Sequence, residues 1–279
     1  MNIMQTKKFT LLSLLIFQIF CVSVFAQTKQ KIEPYNAGEK LFYEAKFSKI
    51  IKGIAVADLN FTVENAENNK DFTIKSDAVT KGSLLKLFTK KFVQKYESTV
   101  SGTDYAVKRT VKRDEQGDRV RESEALFDYQ AKKVIYVETD PNDAARPPRQ
   151  IASPIPKYTQ DLITAIYTLR RLPLTVGKNF EISVSDSGLV YKIPVRVTAR
   201  EQIKTFLGKY WCFKIEPQMF GTNRLIEQKG SMILWITDDE KRLPVRSQIN
   251  LNIGRFEVKL KKVEDKSVLA AQTKQSVSK

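Results

Sequence analysis

Three carboxylates stand where they could do chemistry. Asp161 lies early in KYTQDLITAIYTLRRLPL (157–174), and Asp238 and Asp239 sit together in MILWITDDEKRLPVR (232–246). Two carboxyl groups in one cleft, with environments that push their pKa values apart, can supply the acid and base steps of glycoside hydrolysis. On that reading Asp161 works with Asp238 or Asp239, Tyr167 or Arg170 positions the substrate, and the protein is a carboxylate-dependent hydrolase of envelope glycans. A simpler reading needs no reaction. Asp161 meets the positive start of a helix, and Asp238-Asp239 supplies the hydrogen bonds of a turn between two strands, with Pro244 marking the start of the next one. The sequence favours this second reading.

Other chemistries are closed off by composition. The chain has no histidine and two cysteines, one of them at position 21. Ser-His-Asp and Cys-His catalysis and His-ligated metal sites are therefore excluded. Cys212, in the apolar stretch WCFKIEP (211–217), reads as a buried, inert thiol. No phosphate-cradling glycine motif is present. Asp140, Asn142 and Asp143 have the oxygen ligands of a calcium loop but lack the Gly and Glu that should follow. No cofactor, metal or catalytic residue is assigned.

The elements that must position these residues are mostly strands. In KLFYEAKF (40–47), Leu41, Tyr43, Ala45 and Phe47 share a face opposite Lys40, Glu44 and Lys46. LVYKIPVRVTAR (189–200), VRSQINLNI (245–253) and GRFEVKLKK (254–262) alternate in the same way. This period of two is that of antiparallel strands with one wet face. Further strands are predicted at 52–64, 71–79, 93–101, 104–113, 119–129, 132–139, 179–186, 208–217 and 230–237. In the last of these Met232, Leu234 and Ile236 face one way and Ile233 and Trp235 the other, so both faces are apolar. Two segments have helical spacing instead. GSLLKLFTKKF (82–92) reads as a short basic amphipathic helix that plugs a barrel end or lies on a membrane. In the helix within 157–174, Thr159 caps, Leu162, Ile166 and Leu169 form the apolar stripe, Arg170 and Arg171 meet the negative end, and Pro173 stops it. The fold class is therefore all-β with one or two short helices: an antiparallel curved sheet, a partly open β-barrel or a two-layer β structure.

The organisation follows from the ends and one loop. Lys7 and Lys8 precede the apolar run 9–25, which closes on Val24-Phe25-Ala26, the pattern of a signal peptide cut after Ala26; retention as an anchor is the alternative. Residues 27–265 form a β-rich domain whose halves, 36–139 and 158–265, are joined by a Pro-rich loop at 140–157, and the polar tail 266–279 is expected to be disordered. The net charge of +16 at pH 7 draws an exported protein toward anionic envelope components such as lipid headgroups or lipopolysaccharide. Nucleic acid is not expected, because no nucleic-acid-binding motif is present. The expected location is periplasmic or outer-membrane-associated.

GEKLFYEAKF with GIAVADLNF (38–61), DLITAIYTLRRLPLTVG (161–177), the Gly208 to Pro217 strand, LWITDDEKRLPV (234–245) and GRFEVKL (254–260) resemble the bacterial domain-of-unknown-function family 3108. The resemblance implies a secreted or periplasmic, mostly antiparallel β protein and brings no reaction or catalytic residue with it. The function expected is that of a non-catalytic envelope protein that binds an apolar or amphipathic ligand or docks on the envelope. One contact is expected to lock the helix to the 238–241 turn, with Asp161, Arg170, Trp235, Asp238 and Asp239 as its residues and Arg170 reaching Asp238 or Asp239.

Overall fold

A computed structural model describes residues 33, 35–49, 53–81 and 92–265. The segment read as a signal peptide, the tail and the basic segment from Gly82 to Lys91 lie outside the described residues, and Phe92, placed at the end of that segment's helix by its spacing, opens a strand instead.

Alternating burial builds the sheet strand by strand. In β1 (Lys40–Ser48), Leu41, Tyr43 and Ala45 are buried, while the residues between them are half-exposed. The other strands are β2 (Ile54–Asn65), β3 (Asp71–Thr80), β4 (Phe92–Ser101), β5 (Val107–Gln116), β6 (Arg119–Asp128), β7 (Lys133–Thr139) and β8 (Arg149–Pro154). After the helix α1 (Leu162–Arg171) come β9 (Asn179–Asp186), β10 (Leu189–Thr205), β11 (Gly208–Pro217), β12 (Gly230–Thr237), β13 (Pro244–Leu251) and β14 (Gly254–Glu264). All fourteen form one antiparallel sheet in the order β8-β7-β6-β5-β4-β3-β2-β1-β14-β13-β12-β11-β10-β9. Two meanders thus share one sheet, joined where Lys40 to Ser48 runs against Glu264 to Arg255.

The sheet curls around α1 without closing. The helix touches β3 and β4 in one meander and β9 at the far edge of the other, which a flat sheet could not allow. Tyr167 enters a core cluster with Val63, Ile74, Val100 and Val107 of the first meander. Leu169 enters the second meander's cluster with Val184, Val195, Ile215 and Ile236. The edges are managed separately. Gln160 pairs its backbone with β9, giving its N–H to Ser183 O (2.8 Å) and taking that of Ser185 (2.7 Å). The tight β9–β10 turn sets Gly188 against Tyr136 of β7 and Ile151 of β8.

Several sequence expectations shift. Arg149 to Pro154, read as part of the Pro-rich loop, is the edge strand β8; it is short, largely exposed and paired on one side only, so it shows no apolar alternation. Asp161, not Thr159, caps α1: its Oδ1 accepts from Ile163 N (2.9 Å) and Thr164 N (2.8 Å), and Thr164 Oγ1 accepts from Asp161 N (2.9 Å). Thr159 instead donates its hydroxyl to Pro156 O (2.9 Å). The buried face of the helix is Thr164, Tyr167, Leu169 and Arg170, while Leu162 and Ile166 are only partly covered. Ile253, counted with the alternation of 245–253, belongs to the β13–β14 turn and is exposed.

Gly188 carries a specific demand. Its φ is +80°, and an added Cβ would lie 2.7 Å from Tyr136 Cβ and 2.8 Å from Ile151 Cβ. Gly188→Ala therefore combines a left-handed backbone with overpacking. A loss of roughly 2–4 kcal/mol is expected in urea unfolding; a loss under about 0.5 kcal/mol would show that the turn does not pack on β7 and β8.

Candidate functional site

The last turn of α1 is tied down by an ion pair inside the protein. Arg170 is 3 % and Glu39 4 % exposed. The guanidinium donates from Nη1 to Glu39 Oε1 (2.7 Å) and from Nη2 to Glu39 Oε2 (2.9 Å), a two-pronged geometry that suits arginine. Nη2 also donates to Lys241 O (2.9 Å) in the β12–β13 turn. Burial opposes the Arg170 cation, but the hydrogen bonds and charge of Glu39 outweigh it and hold its pKa above the ordinary arginine value. Glu39 precedes β1 directly, and its own backbone is fixed by Val63 N donating to Glu39 O (3.0 Å). One pair therefore links helix, first strand and hairpin turn.

Beside this pair lies an apolar cavity of about 180 Å³, between α1 and the strands β1, β2, β12, β13 and β14. Leu41, Leu59, Phe61, Ile166, Leu234 and Ile249 supply most of its wall. Tyr43, Tyr167, Arg170, Arg246 and Ser247 are its polar members. The volume exceeds the roughly 150 Å³ of an apolar cavity able to hold benzene and falls below the roughly 300–1,000 Å³ of a site for a drug-sized ligand. Tyr43 Oη donates to Pro244 O (2.9 Å). The Tyr167 hydroxyl and Arg170 Nε are buried and have no hydrogen-bond partner among the described residues. Burial, with the charge of Glu39, pushes the Tyr167 phenol up, so it stays protonated and able to donate.

The sequence-selected carboxylates are placed otherwise than a hydrolase needs. Asp239 is the turn residue: its Oδ1 accepts from Thr237 Oγ1 (2.7 Å), Lys241 N (3.1 Å) and Arg242 N (3.0 Å). Asp238 pairs with Arg200 Nε (2.6 Å) and Arg242 Nη1 (3.5 Å). Arg170 thus reaches the hairpin through a backbone carbonyl, and its carboxylate partner is Glu39 rather than Asp238 or Asp239. Asp161 is buried at the other end of α1, where it accepts from Thr110 Oγ1 (3.0 Å) as well as capping the helix. Burial raises its pKa against the pull of the hydroxyl and backbone donors around it. With a rise of about 1.5 Å per residue, a ten-residue helix sets its two ends roughly 15 Å apart, beyond the separation of about 5–9.5 Å at which paired carboxylates act on one glycosidic bond.

Trp235 turns away from Leu234 and Ile236, as the pleat requires. It packs with Cys212 and Val245, donates Nε1–H to Glu201 and lies under Arg246, whose guanidinium carbon is 4.8 Å from the ring centroid. It does not contribute to the Arg170 contact. The Cys212 thiol is buried and pushed up to about 12 by burial and by the charges of Asp239, Glu201 and Asp238. Asp140 accepts from Asn142 N (3.1 Å) and pairs with Arg121 and Arg146, the geometry of a salt-bridged turn.

Glu39 is the functional neighbour that sequence reading missed. It stands 131 positions from Arg170, one residue before the segment read for its alternation, and only its place directly before the first strand sets it apart.

The model of the family described as "Protein of unknown function (DUF3108)" matches residues 43–261. This chain is a member of the DUF3108 family. The matched span holds α1, the β12–β13 turn and most of the cavity wall, while Glu39 and Leu41 fall just before it. A search of curated proteins finds no match to this DUF3108 chain. Among solved structures, the β-barrel-like protein of the DUF1849 domain from Brucella abortus aligns with a TM-score of 0.54 at 10% identity, over 82% of this chain and 98% of that one. The two share a fold. A Bacteroides fragilis protein provisionally named as exported, with a YmcC-like fold, aligns at a TM-score of 0.37 and 11% identity over 84% of this chain and 99% of its own. A Parabacteroides distasonis protein provisionally named as a lipoprotein gives 0.32 and 10%, over 85% and 100%.

The buried pair makes a double-variant test decisive. Arg170→Met and Glu39→Leu should each cost on the order of 3–5 kcal/mol in chemical unfolding, because each leaves one buried charge without its partner. The double variant should recover most of that loss. Asp238→Asn should cost about 1 kcal/mol or less, the closer of its two arginine partners, Arg200, being exposed. Single losses that simply add in the double variant would show that Arg170 and Glu39 are not coupled.

Proposed function

We propose that this DUF3108 protein is an exported, non-catalytic envelope protein that holds the apolar part of an amphipathic ligand in the cavity under α1. The cavity carries the reading: an apolar chamber between the helix and the sheet, with a few polar groups in its lining. Binding sites in curved β structures combine these features. The size of the chamber suits the end of an acyl chain or one small ring, with the remainder of the ligand outside. Export rests on the sequence of residues 1–26, with its basic head, apolar run and Val24-Phe25-Ala26. The strongly basic chain favours lipid, lipopolysaccharide or other anionic envelope components as the source of that ligand. The carboxylates that would serve a glycan hydrolase already hold a helix cap, a turn and a surface pair.

Native mass spectrometry of the protein recovered from cells through its own export signal should show adducts that organic solvent extracts. Ser247 lines the cavity on β13, opposite Leu234 and Val258 of the neighbouring strands. Ser247→Trp should fill the chamber and abolish the adducts while circular dichroism stays that of the wild type. A bare mass for the wild type, together with no uptake of any short alkane or ester from solution, would overturn the reading.

A further inference from the structure

We propose that the Tyr167 wall of the cavity is a subsite for a neutral hydrogen-bond acceptor, the carbonyl oxygen of an ester, amide or ketone carried by the apolar ligand. The proposal rests on the cavity reading above and adds to it the chemistry of the group the ligand must bring.

Two donors lack an acceptor there. Tyr167 is 2 % exposed, and its hydroxyl has no partner among the described residues; Arg170 Nε is in the same position. A buried donor left unpaired is destabilising, which is why such groups are rare in folded proteins. The carboxylate and carbonyl oxygens bonded to the cavity's polar side chains are already engaged. Both carboxylate oxygens of Glu39 and the carbonyl of Lys241 receive Arg170, and the carbonyl of Pro244 receives Tyr43. Tyr167 is left without an acceptor, and a ligand oxygen would supply it.

Charge decides which acceptor. The two cations lining the cavity are both neutralised, Arg170 by Glu39 and Arg246 by Glu257. A carboxylate or phosphate pushed into this apolar chamber would meet no free positive charge, and an unpaired buried ion is strongly disfavoured. A neutral carbonyl accepts from Tyr167 without that penalty.

The test compares three probes of similar length: heptane, methyl hexanoate and hexanoate. Their binding to the full exported protein, delipidated by solvent, is read by ligand-detected NMR. Methyl hexanoate should bind roughly five- to tenfold more tightly than heptane, the worth of one sheltered hydrogen bond, and hexanoate should bind least. Tyr167→Phe should bring the ester down to within about twofold of the alkane and leave alkane affinity unchanged. Its melting temperature should equal or exceed that of the wild type, because the lost hydroxyl bonds nothing in the protein. A measurement on the wild type alone guards against a variant that misfolds: bound methyl hexanoate labelled at its carbonyl carbon should resonate downfield of its position in an alkane solvent, as hydrogen-bonded carbonyls do. Equal binding of ester and alkane, or a bound carbonyl resonance at its alkane-solvent position, would mean that a water satisfies Tyr167, and the subsite would be refuted with the apolar cavity still standing. Tightest binding by hexanoate would refute the neutral acceptor. Failure of all three probes would remove the cavity reading and the subsite together.

Discussion

Among the described residues, the pairing of β1 with β14 is the one hydrogen-bonded strand pairing that does not join neighbours in sequence. Every other ladder is a local hairpin of a meander. Without it the chain would form separate sheets of eight and six strands, with β1 and β14 as bare edges. The pairing brings Lys40 beside Glu264 across nearly the whole chain, and the entropy of closing so long a loop grows only slowly with its length. Arg170 and Glu39 then secure the same seam from inside, because Glu39 is the residue before the first strand and Arg170 lies in the last turn of the only helix among the described residues. Sheet continuity and helix position therefore meet at one place.

The cavity lies at that place too. Its walls come from β1 and β2 on one side of the seam, β12, β13 and β14 on the other, and α1 above. A helix spanning two meanders cannot match both surfaces along its whole length. Tyr167 fits the first cluster and Leu169 the second, and the chamber opens beside them, along Ile166 and Arg170. In this DUF3108 chain the void is a consequence of how the halves are joined rather than of one missing side chain.

Most of the sheet was legible because a strand with one wet face writes its period directly into the sequence. The β12–β13 turn was legible for a similarly local reason: Asp239 bonds to backbone groups two and three residues ahead. What escaped notice was non-local or unpatterned. The strand β8 has one neighbour and little burial, so nothing selects for alternation in it. The buried face of α1 includes Thr164, Tyr167 and Arg170, which hydropathy assigns to water. Arg170 was read correctly as a group at the helix end, yet its partner lies in another element, and helix spacing cannot name it. The cavity leaves no mark in the sequence at all, since Leu41, Leu59 and Leu234 would look the same in a filled core.

The seam also imposes an order in time. A chain that appears from its N-terminus can complete β1 to β8 by pairing each strand with the one just made. The outer edge of β1 stays bare until the last strand arrives, more than two hundred residues later. An unpaired edge invites pairing with a foreign strand. During that interval the charges of Lys40, Glu44 and Lys46 stand on the strand as a guard against such pairing. The C-terminal strand acts as a closing stitch, and a chain cut short before Gly254 is left with the template for its own aggregation exposed at the middle of the sheet.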